Sequence, residues 1–143
     1  MHRFRTLALA AACGAALGAP ALAQDEVGAR LSIELNAAET EGEACKMSFV
    51  VINGHDTDIA QAVFETVLFD AEGQVDRLTL FDFGALPAGR TRVRQFVIPG
   101  TPCDGLGRVL FNGADTCEAE TLGADACEAD LRLDSRASID VLG

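Results

Sequence analysis

Apolar residues recur at every second position along most of this chain, which is the period of a pleated strand rather than of a helix. Leu31, Ile33 and Leu35 point one way, with Ser32, Glu34 and Asn36 opposite. Cys45, Met47, Phe49 and Val51 repeat the pattern up to Asn53-Gly54, a dipeptide that favours a tight turn. The stretch 63–69 is apolar on both faces, the pattern of a central strand covered on both sides. It ends at Asp70-Ala71-Glu72-Gly73, where an aspartate can bond the turn backbone and a glycine supplies positive φ. Residues 75–83 return as its partner. After Leu86-Pro87-Ala88-Gly89 comes a strand at 90–98, halted by Pro99-Gly100. A short one at 108–112 is closed by Asn112-Gly113, and 137–142 alternates again with Ile139 and Val141 inward. The acidic, alanine-rich stretch 114–130 is expected to hold a helical turn. Seven short strands with frequent turn residues and no long helix predict an all-β fold, an immunoglobulin-like antiparallel β-sandwich.

The first 23 residues read differently. His2, Arg3 and Arg5 precede an apolar run from Leu7 to Gly18 that is too short to span a bilayer, and Ala21-Leu22-Ala23 has the small-x-small form of a signal-peptidase site. Cys13 lacks the leucine three residues earlier that marks a lipoprotein site, and Arg3 and Arg5 are not adjacent as a twin-arginine signal requires. A Sec-type leader over 1–23 and one domain over 24–143 are therefore expected, with a periplasmic or secreted destination. No second apolar run reaches spanning length. Without Arg3 and Arg5 the chain carries 9 basic against 22 acidic side chains, a formal charge of −13. That balance disfavours nucleic acid and anionic membrane surfaces as partners. The segment after the leader has no Trp and no Tyr, the residues on which sugar sites and large interface hot spots lean.

Strand, Asn-Gly turn, strand, then Thr66-Val67-Leu68-Phe69-Asp70 with Gly73 following and Leu86-Pro87-Ala88-Gly89 before 90–98, resembles the bacterial FxLYD-type domain. The resemblance covers residues 45–98, with Thr66 in place of the family's first phenylalanine. The whole chain is similar to uncharacterised exported proteins of alphaproteobacteria. Both resemblances imply a small sandwich and bring no catalytic or ligand residue.

Four cysteines follow the leader, Cys45, Cys103, Cys117 and Cys127, and in an oxidising compartment they pair. Three pairings are possible. In a sandwich of this topology the strand starting at Cys45 lies antiparallel to the strand at 90–98, which brings Cys103 toward Cys45 and favours 45–103 with 117–127. Spacings of 58, 14 and 10 residues without a C-x-x-C pair speak against a metal site or a redox dithiol.

Little in the sequence suggests catalysis. His55 lies beside Asp56 and Asp58, but the nearest serine, Ser48, has no nucleophile-elbow context, so a solvated loop histidine is expected. Asp56 and Asp58, or the acids between Asp115 and Asp130, offer loop oxygens to calcium without matching the twelve-residue calcium loop. Arg90, Arg92 and Arg94 alternate along one predicted strand, and as a common face they would grip a carboxylate or phosphate. The competing expectation is a solvated outer face pairing with Asp76 or Glu65. Phe96 continues the same face, which requires a bulge or a sheet edge. The reading is an exported, non-catalytic binding or structural module with no cofactor, whose partner is an envelope protein. The alternative is a small-ligand or calcium carrier using loop carboxylates.

Overall fold

The computed structural model describes residues 27–143, so the expected leader lies outside the described residues. Eight strands follow in order: β1 (Leu31–Glu41), β2 (Ala44–Asn53), β3 (Ile59–Asp70), β4 (Val75–Leu86), β5 (Thr91–Ile98), β6 (Leu106–Glu118), β7 (Arg132–Ser135) and β8 (Asp140–Leu142). A single 3₁₀ turn, Cys103–Gly105, leads into β6. The strands form two four-stranded sheets, β5-β2-β1-β7 and β4-β3-β6-β8, packed as a sandwich. Period-two burial is the cause. In β2 every second residue from Cys45 to Asn53 is buried and the alternate ones are half-exposed, so one face of the sheet must find an apolar partner.

The core is built around phenylalanine. Phe49 of the first sheet meets Phe81, Phe83 and Phe111 of the second with ring centroids 5.7, 5.9 and 6.1 Å apart, all tilted or edge-on. Phe64 packs edge-on against Phe111 at 5.2 Å. At the open side of the sandwich Phe96 of β5 stacks on Phe81 of β4 at 4.2 Å, which ties the two edge strands across the gap between the sheets.

Two disulfides clamp this arrangement, Cys45–Cys103 and Cys117–Cys127. The first follows from register: Cys45 lies opposite Ile98 in the antiparallel β2·β5 pair, so the chain leaving β5 passes close to the start of β2.

The structure differs from the sequence expectations in several places, each with a local cause. An eighth strand, β7, appears, and both β1·β7 and β6·β8 pair in parallel, so the outermost pairings on that side depart from the antiparallel pattern. Between them a turn replaces the start of the expected 137–142 strand. The Ser135 hydroxyl donates to Ile139 O at 2.6 Å and accepts from Ala137 N at 3.2 Å, so the chain reverses before β8 begins. Asn112-Gly113 does not end a strand. Asn112 Nδ2 donates to Glu65 Oε1 of β3 instead of closing a turn, and β6 continues to Glu118 through register shifts. Between Cys117 and Cys127 the chain makes successive turns; the nearest thing to helix follows at Asp125, where Ala129 N donates to Asp125 O at 2.8 Å.

Asn53-Gly54 is likewise no hairpin turn: it is where the chain leaves the first sheet for the second. Gly54 is required there by space. A Cβ on it would collide with the Gly28 carbonyl and come within 2.9 Å of Arg30 O.

Candidate functional site

The stretch expected to be covered on both faces is β3, and only one of its faces is covered by the other sheet. Phe64, Thr66 and Leu68 point into the sandwich, while Val63, Glu65, Val67 and Phe69 point outward. Val67 is nonetheless only 8 % exposed, because its cross-strand neighbours shield it. On one side it pairs with Leu78 of β4 and on the other with Leu110 of β6, and Leu110 pairs in turn with Leu142 of β8. These four residues form one apolar row, in register, across the whole outer face of the second sheet. Leu78 and Leu142 are 62 % and 42 % exposed, and Leu80 and Val75 widen the row at 54 % and 57 %. Together this is roughly 400 Å² of aliphatic surface, the scale of the largest patch on a typical monomer, about 300–600 Å² and often functional.

The charges around the row are mostly acidic. Glu65 lies opposite Leu80, Asp82 opposite Val63, and Asp140 opposite Arg108. Arg108 leans over the Phe69 ring at 5.8 Å, a cation–π contact that covers this aromatic residue of the face. A shallow cleft of about 330 Å³ adjoins the row, lined by Glu65, Asn112, Gly113, Ala114 and Asp115.

The three arginines singled out in the sequence do not make a common binding face. Arg90 precedes β5 and is exposed. Arg92 and Arg94 lie opposite the buried Val51 and Phe49, so they point to the inner side of an edge strand, not to an outer solvated face. Arg94 reaches across the open side of the sandwich: its Nε donates to Phe83 O at 2.6 Å and its Nη2 to Ala85 O at 3.0 Å, both on β4. Its Nη1 bonds Val93 O, and Arg92 Nη1 bonds Thr91 O, so carbonyls of β5 are capped as well. Phe96, on the same face, is the ring stacked on Phe81; the sheet edge is what lets one face carry both arginine and phenylalanine. Asp76 is bonded by Arg77 and Glu65 by Asn112, so neither pairs with these arginines.

His55 is buried rather than solvated. Its Nε2 donates to Ala126 O at 2.9 Å, pinning the Cys117–Cys127 loop, and its backbone N donates to Asn53 Oδ1. A carbonyl has no proton to give, so the ring takes the tautomer with Nε2–H and acts as a strut. Of the loop carboxylates, Asp58 accepts from Ala88 N at 2.8 Å and Asp56 is exposed. A cleft of about 490 Å³ is lined by Thr57, Asp58, Ala60, Glu118, Glu120 and Thr121. Among the described residues no three His, Cys, Asp or Glu side chains are grouped to share an ion. At the far end of the first sheet Glu41 and Glu39 hold the Lys46 ammonium and raise its pKa above the ordinary value, Glu41 the more strongly through a 2.5 Å contact.

Leu78, Leu80, Leu110 and Leu142 were not singled out in the sequence. The signal was present in the two-faced apolar stretch 63–69, whose outer residues need cover, but its pairing with 75–80, 110 and 142 depends on register. In comparisons with known proteins, the chain matches no family model, no curated protein and no solved structure. Among the described residues no helix is long and apolar enough to cross a membrane.

Proposed function

We propose that this chain is an exported, non-catalytic binding module of the cell envelope that docks a partner protein on the outer face of its β4-β3-β6-β8 sheet. The observation that carries the reading is the continuous apolar row Leu78–Val67–Leu110–Leu142, on a face that no other element covers among the described residues. The other face of the same strands is closed by Phe64, Leu68, Phe81 and Phe83, all at most 1 % exposed; on the first sheet the exposed large apolar side chains are Val93 and Val97, both on the edge strand β5. Export is supported by the leader pattern of residues 1–23 and by two disulfides, which persist in oxidising compartments. The FxLYD-type resemblance is kept as part of this reading. Its support is Asp70, whose Oδ1 accepts from Glu72 N and Gln74 N and so closes the turn after the signature.

The test is site-specific photo-crosslinking in the host. A benzophenone side chain at Leu78 or Leu142 is expected to trap a discrete adduct, while the same group at Val93 or Gln95, on the outer face of the first sheet, traps none. Equal labelling from both sheets, or none from Leu78 and Leu142, removes the reading.

A further inference from the structure

The same face specifies the chemistry of its occupant, an inference that rests on reading it as the docking surface. We infer that the occupant is a short cationic amphipathic segment, with one apolar ridge flanked by Lys or Arg. Two observations carry this. The first is size. The row crosses four strands, so it runs roughly 14 Å centre to centre at about 4.8 Å per strand. That is the length of about ten residues of helix at about 1.5 Å per residue. The exposed patch is about half of the ~800 Å² that each partner contributes to a stable protein–protein interface. It fits a segment better than a second globular face.

The second is charge. The face presents Glu65, Asp82 and Asp140 against Arg108. Arg77 of β4 is turned to the other side of its strand. There it donates to Pro99 O at 2.7 Å and Thr101 Oγ1 at 3.0 Å, and it is ion-paired with Asp76. A second copy of this chain would bring the same carboxylates into opposition, and an anionic membrane would meet the same repulsion. Cations on the flanks of an apolar ridge meet those carboxylates at the rim and leave the leucines to the ridge.

The probe is a fluorescein-labelled Leu/Lys amphipathic peptide of about twelve residues, with a Leu/Glu peptide of the same pattern as its control. Each is titrated by anisotropy into the purified chain, processed as its host leaves it. The Leu/Lys peptide is expected to saturate and the Leu/Glu peptide to show no binding. The double variant Leu78→Ser with Leu80→Ser should weaken the Leu/Lys complex about tenfold or more, the scale of losing apolar anchors. Asp82→Asn with Asp140→Asn, which keeps both side chains as acceptors, should weaken it about threefold. Raising NaCl from about 0.1 M to about 1 M, where the Debye length falls from about 10 Å to about 3 Å, should weaken it further. These leucines and aspartates are exposed, so folding is checked by an unchanged far-UV spectrum and melting midpoint.

Equal binding of both peptides, or indifference to the Asp→Asn pair, overturns the cationic occupant and leaves the docking face standing. Indifference to the Leu→Ser pair overturns both. A concentration-dependent dimer in sedimentation that the Leu→Ser pair abolishes assigns the face to a second copy and sinks the cationic segment. Flotation with phosphatidylglycerol vesicles that the same pair abolishes sinks it in favour of a membrane.

Discussion

At the end of β2 a single buried side chain organises three stretches of backbone. Asn53 Nδ2 donates to Leu86 O at 2.8 Å and Thr57 O at 3.0 Å, and its Oδ1 accepts from His55 N, while its own carbonyl accepts from Gly89 N at 2.7 Å. An amide is the one side chain of this size that both donates twice and accepts, and here it is fully buried. Replacing it leaves Leu86 O, a buried acceptor, and His55 N without their side-chain partner. Asn53→Ala is therefore expected to cost about 2–4 kcal/mol, the sum of a few net hydrogen bonds and the desolvation of orphaned groups. Asn53→Asp should cost at least as much, since a carboxylate cannot donate to either carbonyl. Urea unfolding measures this: the midpoint should fall with the slope unchanged. A midpoint within error of the wild type for Asn53→Ala would mean that the loop holds its shape without the amide. His55 belongs to the same cluster, which is why a histidine that looks like a loop base in the sequence behaves as a strut.

At the scale of elements, the side of the sandwich where β4 and β5 are the edge strands is closed by side chains. Phe96 stacks on Phe81, Arg94 bonds Phe83 O and Ala85 O, and Arg77 bonds back from β4 to Pro99 O. Edge strands with bare carbonyls invite pairing with other chains, and charged groups on the edge are a usual remedy. Arg94→Lys keeps the charge but not the planar fork that spans two carbonyls. It should lower stability by about 1–2 kcal/mol, while Arg94→Ala should also raise concentration-dependent light scattering. Wild-type behaviour of both variants would reduce the clasp to a surface decoration. These particulars show what was legible beforehand. Period two, with the two-faced apolar run for β3, placed the first five strands to within about five residues at their ends, and the β2·β5 neighbourhood gave the disulfide pairing. The direction of the arginine face was not legible: alternation says that Arg92, Arg94 and Phe96 share a face, but only the edge position of β5 tells an inner face from an outer one. The parallel edge pairs β1·β7 and β6·β8 were hidden for a similar reason, since strands of three and four residues carry almost no periodicity. The apolar row is a product of register between strands far apart in sequence, and no single window contains it.

For the molecule as a whole the two disulfides are unequal, and the inequality follows from where each sits. Cys45–Cys103 closes a separation of 58 residues and ties the start of β2 to the turn that carries the chain into the second sheet. Chain entropy gives it about 4 kcal/mol, against about 3 kcal/mol for the separation of 10 between Cys117 and Cys127. A domain of this size has about 5–15 kcal/mol of net stability, so losing the long link leaves little margin. The short link closes a loop that packs through His55, Ala126 and the fully buried Cys127 but contributes no strand to either sheet, so its release leaves both four-stranded sheets paired. Replacing Cys117 and Cys127 by Ala should therefore lower the global midpoint by less than the entropy figure implies, while protease cutting within 117–131 rises. Replacing Cys45 and Cys103 by Ala should lose the full ~4 kcal/mol or more, because this link ties the start of β2 in one sheet to the turn that enters β6 in the other. Urea midpoints and limited proteolysis of the two double variants compare them directly. Equal losses, with no local cutting in the 117–127 variant, would show that the acidic loop unfolds only with the whole sandwich and that its link is as global as the other.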